Sequence, residues 1–441
     1  MLLREPVYYY SLIREKFRNS YLAEDSRQVI IGIDCSYIDS YEYSYKSLEQ
    51  FYNLKKSIKN APFAGLFGVF SYETVHFFEK IDKASNKQFS FPEFILADAK
   101  AYLHYSKISK EFSFYGDEKK YSPLLENEMD LTKKEDILSN SNKDKTFYHI
   151  NTDLEEERRH FYNMVEKAKE YIRAGDVFQV VLSEQLCLET DMDSLDFYRE
   201  LSAANPSPYM FHFPTEYGDV VGSSPEILVD IFSDNIYIAP IAGTRPRGKD
   251  ANEDEFLAKD LLNDPKECAE HRMLVDLARN DIGKFSETGS VLVKNLMHIK
   301  HYQHVMHIVT EVYGKKRKDS TIFDILSSAF PAGTLSGAPK IRAMEIIAEL
   351  ETFKRNIYGG GIGFLHYNGD MQIAIIIRTA FFHNKNKDSV KNVFIQSGAG
   401  IVYDSVKETE YNEICHKRAS ILNIFEKNFI GTPVNLSKTK P

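Results

Sequence analysis

The sequence contains no tryptophan, few cysteines and no long apolar run. The four cysteines are scattered and form no Cys-x-x-Cys pair: Cys35, Cys187, Cys268 and Cys415. A disulfide framework or a structural zinc site is therefore not expected, and a reducing compartment fits. The most apolar stretch covers only residues 373–377, too short to cross a bilayer, and Arg4 and Glu5 stand where a signal segment would be apolar. We expect a cytoplasmic protein without a membrane anchor.

An excess of basic residues is also absent. Lys and Arg number 55 against 64 Asp and Glu, a formal net charge of −9, which argues against nucleic-acid binding. Nucleotide binding has no support, because the chain has no Walker A sequence and residues 358–364 do not complete a Gly-x-Gly-x-x-Gly motif. With 43% hydrophobic residues among 441, the chain can bury a large core, which favours a globular enzyme.

Composition and periodicity divide the chain into four parts. Residues 1–115 mix short apolar runs with Tyr-rich polar stretches, and residues 116–150 form a charged linker or insertion. Helical and strand periodicity is clearest over 151–428, and residues 429–441 have the composition of a frayed tail. Because strands come in runs and not in strict βαβ alternation, we expect an α+β fold with antiparallel or mixed sheets.

Two predicted helices begin with a capping box, at Asp264 and at Ser405, and each carries a Glu-x-x-Glu pair. The pairs are Glu267 with Glu270, and Glu410 with Glu413. Residues three apart share a helix face, so each pair offers two carboxylates on one side. A single pair is most often a solvated helix face. Two pairs that meet could hold Mg²⁺, which prefers oxygen ligands.

Four histidines recur at every third position: His298, His301, His304 and His307. The sequence over 298–312 alternates like one strand, on which odd spacing puts neighbouring histidines on opposite faces. A metal cluster is disfavoured for that reason. A single histidine acting as acid or base stays open, because imidazole titrates near neutral pH.

Three glycine turns and two isolated charges are further candidates. The turns occupy residues 240–248, 330–340 and 398–402, where glycine allows close backbone approach to a ligand, although most such segments are plain turns. Arg378 follows an apolar strand, so it is either half of a structural ion pair or a carboxylate clamp. Glu226, in an apolar setting, is either a surface residue or a general acid whose pKa is raised by burial.

Taken together, these segments closely resemble the chorismate-utilising enzymes, and among them the large subunits of anthranilate synthases. The matching segments run in order over about 175–420: GDVFQVVLS, NPSPYMF, SSPEIL, PIAGTRPRG, ECAEHRMLVDLARNDIG, HVMHIVTEV, FPAGTLSGAPKIRAMEII, YGGGIGF, IAIIIRT and QSGAGIVYDS with EYNEICHK. The resemblance implies two packed, mainly antiparallel β-sheets surrounded by helices, with the active site between them. The first 115 residues match only weakly, and we expect them to form a regulatory region that is intertwined with the core.

The resemblance also assigns binding roles. Glu270 and Glu413 match Mg²⁺ ligands, and Glu267 and Glu410 match second carboxylates that act close by or through water. Mg²⁺ would bind the ring carboxylate of chorismate. The other matched positions are Tyr358, Arg378 and Gly398, Ala399 and Gly400 at the enolpyruvyl carboxylate, Gly243, Thr244 and Thr334 at the ring, and Lys417 near the metal.

The implied reaction is that of a lyase that makes anthranilate and pyruvate, the first committed step of tryptophan biosynthesis. Glu226 matches the acid that protonates the hydroxyl leaving from C4, ammonia adds at C2, and His307 matches the residue tied to the elimination of pyruvate. Since the acid, the histidine and the metal carboxylates are all present, a non-catalytic binding protein on the same scaffold is disfavoured.

Two positions separate the members of this family. Isochorismate and salicylate synthases place a basic lysine at the position of Gln179, and glutamine cannot deprotonate water. Aminodeoxychorismate synthases carry a nucleophilic lysine at the position of Ala242. Both absences favour direct attack by ammonia, and aminodeoxychorismate synthase is the main alternative.

Two partners are implied beyond chorismate. No cysteine lies in a glutaminase Gly-x-Cys-x-Gly elbow, so ammonia is expected from a separate glutamine amidotransferase subunit. Feedback inhibition by L-tryptophan is expected at Pro208, Tyr209 and Met210 with the segment over 21–25. Glu24 keeps a carboxylate for the tryptophan amine there. Asp25 stands where the family has serine, and its added negative charge is expected to weaken binding of the ligand's carboxylate.

Overall fold

The computed structural model describes residues 5–55, 61–82, 86–121, 146–302, 305–383 and 390–427. The tail predicted over 429–441, most of the linker predicted over 116–150, and His304 lie outside these residues. Helices α1 to α10 of the described part are Pro6–Lys16, Tyr45–Lys55, Glu118–Tyr121, Leu154–Ala174, Ser194–Ala204, Ala251–Asn263, Pro265–Gly283, Ile322–Ala329, Lys340–Leu350 and Lys407–Lys427. Two 3₁₀ helices span Tyr72–Phe77 and Gly333–Leu335.

Strands β1 to β11 of the same residues are Tyr21–Glu24, Gln28–Ile33, Ser36–Asp39, Gly65–Phe70, Phe94–Asp98, Ala101–Ser106, Glu111–Tyr115, Tyr148–Ile150, Gln179–Thr190, Tyr209–Thr215 and Gly218–Ser224. Strands β12 to β21 are Ile227–Phe232, Asn235–Ile238, Ile241–Pro246, Leu292–His301, Val305–Lys315, Gly337–Ala338, Gly361–His366, Met371–Ile375, Thr379–His383 and Lys391–Ile401.

Local sequence explains where α4, α7 and α10 begin or end. Asp153 accepts the first backbone N–H groups of α4, and Gly175 ends that helix with φ 84° in the left-handed region. Asp264 caps α7 by accepting from the N–H groups of Lys266 and Glu267, as its sequence predicts. The capping box predicted at Ser405 is wrong. α10 begins at position 407, because the Ser405 hydroxyl closes the preceding turn by accepting from the N–H of residue 402 at 3.0 Å.

Two antiparallel sheets form the body of the molecule. The first sheet has the order β17-β9-β21-β20-β11-β10-β1-β2-β6-β7, with β8 against β9. The second has the order β14-β16-β13-β12-β19-β18-β4-β5-β3, with β15 against β16. The predicted α+β fold with two packed, mainly antiparallel sheets and surrounding helices is confirmed.

Strands from the first 115 residues extend both sheets. β1, β2, β6 and β7 belong to the first sheet, and β3, β4 and β5 belong to the second. The core between the sheets joins early and late parts of the chain. The ring of Phe67 lies 4.4 Å from that of Tyr21, 4.7 Å from that of Phe364 and 5.4 Å from that of Phe213, centroid to centroid. The division into four regions stays a prediction.

The site-bearing region lies where the first sheet meets α7 and α10. β9 and β21 pair along their lengths, so that Gly398 lies opposite Ser183 and Gly400 opposite Val181. α10 packs on β21, and α7 packs on β14 and β16 of the second sheet. Within the described ranges, no helix has the length and apolar character needed to cross a membrane.

Candidate active site

Glu226 lies between β11 and β12 and contacts the 3₁₀ turn over 333–335. The Thr334 hydroxyl donates to Glu226 Oε2 at 3.3 Å. Burial raises the pKa of Glu226, and the charges of Lys417 and Arg378, with the Thr334 hydrogen bond, only partly oppose this. A carboxyl in this setting keeps its proton to higher pH than an ordinary glutamate, as a general acid requires.

His307 lies on β16 beside the turn in β14. Its Nδ1 is 2.9 Å from the carbonyl oxygen of Gly243 and 3.1 Å from the hydroxyl of Thr244. Because a carbonyl oxygen can only accept, this contact assigns the proton to Nδ1 and leaves a lone pair on Nε2. Burial lowers the pKa of His307, which favours the neutral ring. The arrangement therefore supplies a neutral imidazole with one free basic nitrogen.

A bulge in β14 brings the backbone of Gly243 close to α7. The register with β16 shifts between Ala242 and Thr244, and Gly243 has φ 66°. A side chain at this glycine would bring its Cβ within 3.1 Å of Glu267 Oε2. The bulge thus requires glycine for its conformation and leaves space beside a carboxylate.

The four glutamates lie in two pairs on the first two turns of α7 and α10. Burial raises the pKa of Glu267, and the adjacent Glu270 raises it further. Burial also raises the pKa of Glu410, where Glu413 adds to the shift and the Ser405 hydrogen bond opposes it. Each helix therefore presents two like charges that are costly to bring together without a cation.

Two neighbours hold one carboxylate of each pair. Gln179 Nε2 donates to Glu270 Oε1 at 2.7 Å, and Lys417 Nζ lies 2.7 Å from Glu413 Oε1. The positive charge of Lys266, on α7, lowers the pKa of Glu410 on α10, so the charges of the two helices act on each other. An all-oxygen set of this kind fits Mg²⁺. Among the residues that the structure describes, no three His, Cys, Asp or Glu side chains are gathered tightly enough to enclose a metal, and the Mg²⁺ site stays a prediction.

Glycines on β21 leave room for site side chains. A Cβ at Gly398 would lie 2.8 Å from the hydroxyl of Tyr358, and a Cβ at Gly400 would collide with the Gln179 amide. The side chain of Ala399 is buried in a cluster on the other face of the sheet. This segment can therefore contact a ligand through its backbone, as the resemblance implies.

Arg378 connects β19 to β20 in an unusual backbone conformation. Its φ of 49° lies in the left-handed region, which side chains other than glycine adopt at a cost. Burial lowers the pKa of its guanidinium, and the negative charge of Glu226 partly restores it. Its guanidinium has no hydrogen bond or salt bridge to any residue in the ranges described above. The described residues thus provide no salt bridge for Arg378, and the carboxylate clamp stays a prediction.

The histidine series forms a hairpin, and the single strand predicted over 298–312 is wrong. His298 and His301 lie on β15, and His307 lies on β16. The chain reverses where the N–H of Tyr302 donates to the carbonyl of Val305 at 2.8 Å. The face assignments made for one strand therefore do not hold. Of the three described histidines in the series, His298, His301 and His307, only His307 contacts the other candidate residues.

One buried ion pair beside the site was not identified from the sequence. Glu351 and Arg355 form an ion pair whose side chains are 4% and 1% exposed. Their spacing of four was visible in the sequence, but such pairs are common on exposed helices. The pair follows α9, and only the tertiary structure reveals its burial.

The residues predicted to bind L-tryptophan lie on or beside two neighbouring strands. Glu24 on β1 lies opposite Met210 on β10. Its carboxylate accepts from Lys107 Nζ at 2.6 Å and from the Tyr198 hydroxyl at 3.0 Å. A ligand amine at Glu24 would therefore have to share or replace these partners.

Asp25 has a structural task in the turn between β1 and β2. Its carboxylate accepts from the N–H groups of Arg27 at 2.6 Å and Gln28 at 3.0 Å. Tyr209 and Met210 line a cavity of about 30 Å³ with Glu24 and Asp25, while Pro208 precedes β10. This volume holds roughly one water molecule, so an indole ring can enter only if side chains move.

Known proteins resemble the whole described architecture. A family model of chorismate binding enzymes matches residues 7–423. Anthranilate synthase component 1 of Acetivibrio thermocellus is 54% identical over 267 residues, which are 60% of this chain and 53% of that protein. The counterpart from Aquifex aeolicus is 41% identical over 374 residues, covering 82% of this chain and 74% of that protein.

The crystal structure of anthranilate synthase component I from Streptococcus pneumoniae has a TM-score of 0.72 at 32% identity, covering 96% of this chain and 93% of that one. The match to the Acetivibrio protein spans about half of that protein's own length. The match to the family model nevertheless includes all the candidate site residues described above. The chain belongs to the family of chorismate binding enzymes.

Proposed function

We propose that this chain is the chorismate-converting component of an anthranilate synthase. It would join ammonia to chorismate and release anthranilate, pyruvate and water, as the first committed step of tryptophan biosynthesis. The names of the relatives from Acetivibrio thermocellus and Aquifex aeolicus support this activity.

One observation carries the choice among reactions on chorismate. Gln179 Nε2 lies 2.7 Å from Glu270, among the candidate metal carboxylates, and β14 of the second sheet has Ala242 beside the Gly243 bulge. The relatives that use water or an enzyme amine have a lysine at one of these two positions. Neither glutamine nor alanine can act as a base or a nucleophile, so an external amine must supply the nitrogen.

Glu226 would provide the first proton. Ammonia attacks C2 of the ring, the double bonds shift, and the C4–O bond breaks. Hydroxide is a poor leaving group, so the Glu226 carboxyl, whose pKa is raised by burial, gives its proton to the departing oxygen and water is formed. Thr334 would hold the carboxyl for this transfer.

His307 would act in the second half of the reaction. The Nε2 lone pair accepts the proton from C2, the C3–O bond to the enolpyruvyl group breaks, and pyruvate leaves as the ring becomes aromatic. The contact from Nδ1 to Gly243 supports this assignment, because it orients the ring and fixes its tautomer. The lowered pKa of His307 keeps the base neutral.

Glu270 and Glu413, supported by Glu267 and Glu410, would hold Mg²⁺. The ion, when bound, would neutralise the ring carboxylate of chorismate and withdraw charge from the ring. Arg378 and the backbone over 398–400 would bind the enolpyruvyl carboxylate, with Tyr358 beside them.

The ammonia is proposed to come from a separate glutamine amidotransferase subunit, since the chain lacks a glutaminase elbow. L-Tryptophan is proposed to inhibit at the cavity between Glu24 and Met210. Both proposals follow the resemblance and need their own tests.

A product assay tests the proposed function. The full chain is incubated with chorismate, Mg²⁺ and ammonium, and the products are separated and identified. We expect anthranilate, with no turnover when ammonium is omitted. Formation of isochorismate or salicylate without ammonium, or of aminodeoxychorismate with it, would exclude this function.

A further inference from the structure

Arg355 is a fully buried charge that lies behind the site. Only 2% of the residue is exposed. It follows α9 and precedes the turn that carries Tyr358. A cation at this depth is tolerated only with a complete set of partners.

The guanidinium contacts three separate segments: the 3₁₀ turn at Leu335, strand β9 at Val181, and the ring of Tyr358. One terminal nitrogen donates to the carbonyl of Leu335 at 2.6 Å, and the other donates to the carbonyl of Val181 at 2.7 Å. Leu335 follows Thr334 in the 3₁₀ turn that contacts Glu226. Val181 lies on β9, two residues after Gln179.

The same group also lies against Tyr358. Its central carbon is 5.6 Å from the Tyr358 ring centroid and 4.8 Å from the Tyr72 ring centroid. Both distances are within the range of cation–π contact. Tyr358 is the residue whose hydroxyl lies beside Gly398.

Glu351 holds the guanidinium in this orientation. Its Oε2 accepts from Arg355 Nε at 2.9 Å, and its Oε1 accepts from Arg355 Nη2, the nitrogen that also donates to Val181, at 2.6 Å. The same Oε1 also accepts from the N–H and hydroxyl of Ser183 at 2.8 and 2.7 Å. The carboxylate is thus fixed to β9 as well.

We propose that Arg355 is a positioning residue that sets the Thr334 turn, the Gln179 end of β9 and the Tyr358 ring in register with each other. This inference rests on the proposed function, because it concerns the binding of chorismate at that site. Arginine is required for the shape of its donor fork, since lysine cannot reach two carbonyl oxygens and a carboxylate at once.

The test compares Arg355→Lys with Arg418→Lys in the full chain. Arg418 forms a second buried pair with Glu157, with side chains 3% and 2% exposed, and it has no contact to the three segments. Steady-state kinetics with chorismate, Mg²⁺ and ammonium give kcat and KM, and thermal unfolding gives Tm. KM is the informative quantity, because partial unfolding lowers the amount of active enzyme without changing KM.

We expect both variants to lose stability to a similar degree. Arg355→Lys should also raise the KM for chorismate by about 10-fold and lower kcat/KM by about 100-fold, the cost of misplacing groups by about 1 Å. Arg418→Lys should keep the wild-type KM. An unchanged KM in Arg355→Lys, or an equal rise in Arg418→Lys, would overturn the inference.

A second variant covers the case in which Arg355→Lys does not fold. Glu351→Gln keeps the shape of the carboxylate but weakens its hold on the guanidinium, and its KM should rise by a smaller factor. An unchanged KM here would also overturn the inference. A wild-type chain that converts chorismate to another product would exclude the proposed function yet leave the KM comparison valid, whereas one that does not bind chorismate would overturn both.

Discussion

Glu226 and Arg378 differ in whether their surroundings favour the charged or the neutral form of the side chain. Glu226 is partly buried and accepts a hydrogen bond from the Thr334 hydroxyl, and desolvation favours its neutral form. Arg378 has no salt bridge within the described residues, and it keeps its charge in a partly buried position. The environment of Glu226 suits a proton donor, and that of Arg378 suits a group that binds an anionic ligand.

Replacing Glu226 by Gln should separate binding from turnover. The amide keeps the size of the side chain but cannot donate the proton to the leaving hydroxyl, so we expect kcat to fall by about 10³-fold. Binding of chorismate in the presence of Mg²⁺, measured by calorimetry, should persist. Glu311→Gln, on β16 away from the site, is the control and should keep its activity. Full activity of the Glu226 variant would reject the acid assignment.

Much at this scale was predictable from sequence. Motif position alone singled out Glu226, His307 and the glycines of β21 as candidates, and their roles stay predictions. The contact of Gln179 with Glu270 was not predictable, because 91 residues separate them along the chain and no local pattern encodes the pairing of β9 with α7. The burial of Arg355 was hidden for the same reason.

Helices, strands and turns determine how the site residues meet. The Glu-x-x-Glu spacing predicted one face on each of α7 and α10, but it could not show whether the helices meet. The histidine hairpin was misjudged because the sequences of β15 and β16 together follow one alternating pattern. Sequence periodicity indicates which residues are exposed but not where the chain reverses, so β15 and β16 were predicted as one strand.

The 3₁₀ helix over 72–77 carries a buried carboxyl that makes stability depend on pH. Burial raises the pKa of Glu73 from 4.5 to about 7. Its Oε2 finds no hydrogen-bond partner among the residues described. Because the pKa of Glu73 is higher in the folded state than in the unfolded state, the protonated carboxyl stabilises the fold fully below the unfolded pKa. This contribution to the free energy of unfolding is lost as pH rises through the folded pKa.

Glu73→Gln should therefore remove this pH dependence. Between pH 4.5 and about 7 the wild type should lose up to about 3 kcal/mol of unfolding free energy from this group. The variant should be the more stable protein above that window. Urea unfolding across the pH range measures the difference, with the exposed Glu118→Gln as control. Parallel curves for wild type and Glu73→Gln would contradict this prediction.

The turn between β1 and β2 is the basis of a prediction about feedback inhibition by L-tryptophan. Asp25 accepts from two backbone N–H groups, a task that serine performs more weakly. Asp25→Ser should preserve the turn, remove a negative charge beside the cavity and lower the concentration of L-tryptophan needed for half inhibition. Activity titrations of both proteins test this. Insensitivity of both up to millimolar tryptophan would remove the feedback proposal.

The whole molecule combines both ends of the chain in two continuous sheets. Strands of the first 115 residues complete each sheet, and the cavity proposed for tryptophan lies where β1 meets β10. β10 continues through β11 and β20 to β21, which carries Gly398 and Gly400. A ligand that separates β1 from β10 would therefore act on the same sheet that bears the site.

The proposed separation of ammonia production from its use gives a prediction for the isolated chain. It should make anthranilate with ammonium at high concentration and make none with glutamine, because no nucleophilic cysteine elbow is present. Addition of a glutamine amidotransferase subunit should restore activity with glutamine. Glutamine-dependent turnover by the purified chain alone would contradict the need for a partner.

The nitrogen atom of the product tests the central claim most directly. The full chain is given chorismate, Mg²⁺ and isotopically labelled ammonium, and the products are analysed by mass spectrometry together with the pyruvate released. We predict anthranilate that carries the label in its amino group, with one pyruvate for each anthranilate. A hydroxylated ring without label, or a labelled amine at C4 without pyruvate, would contradict the account.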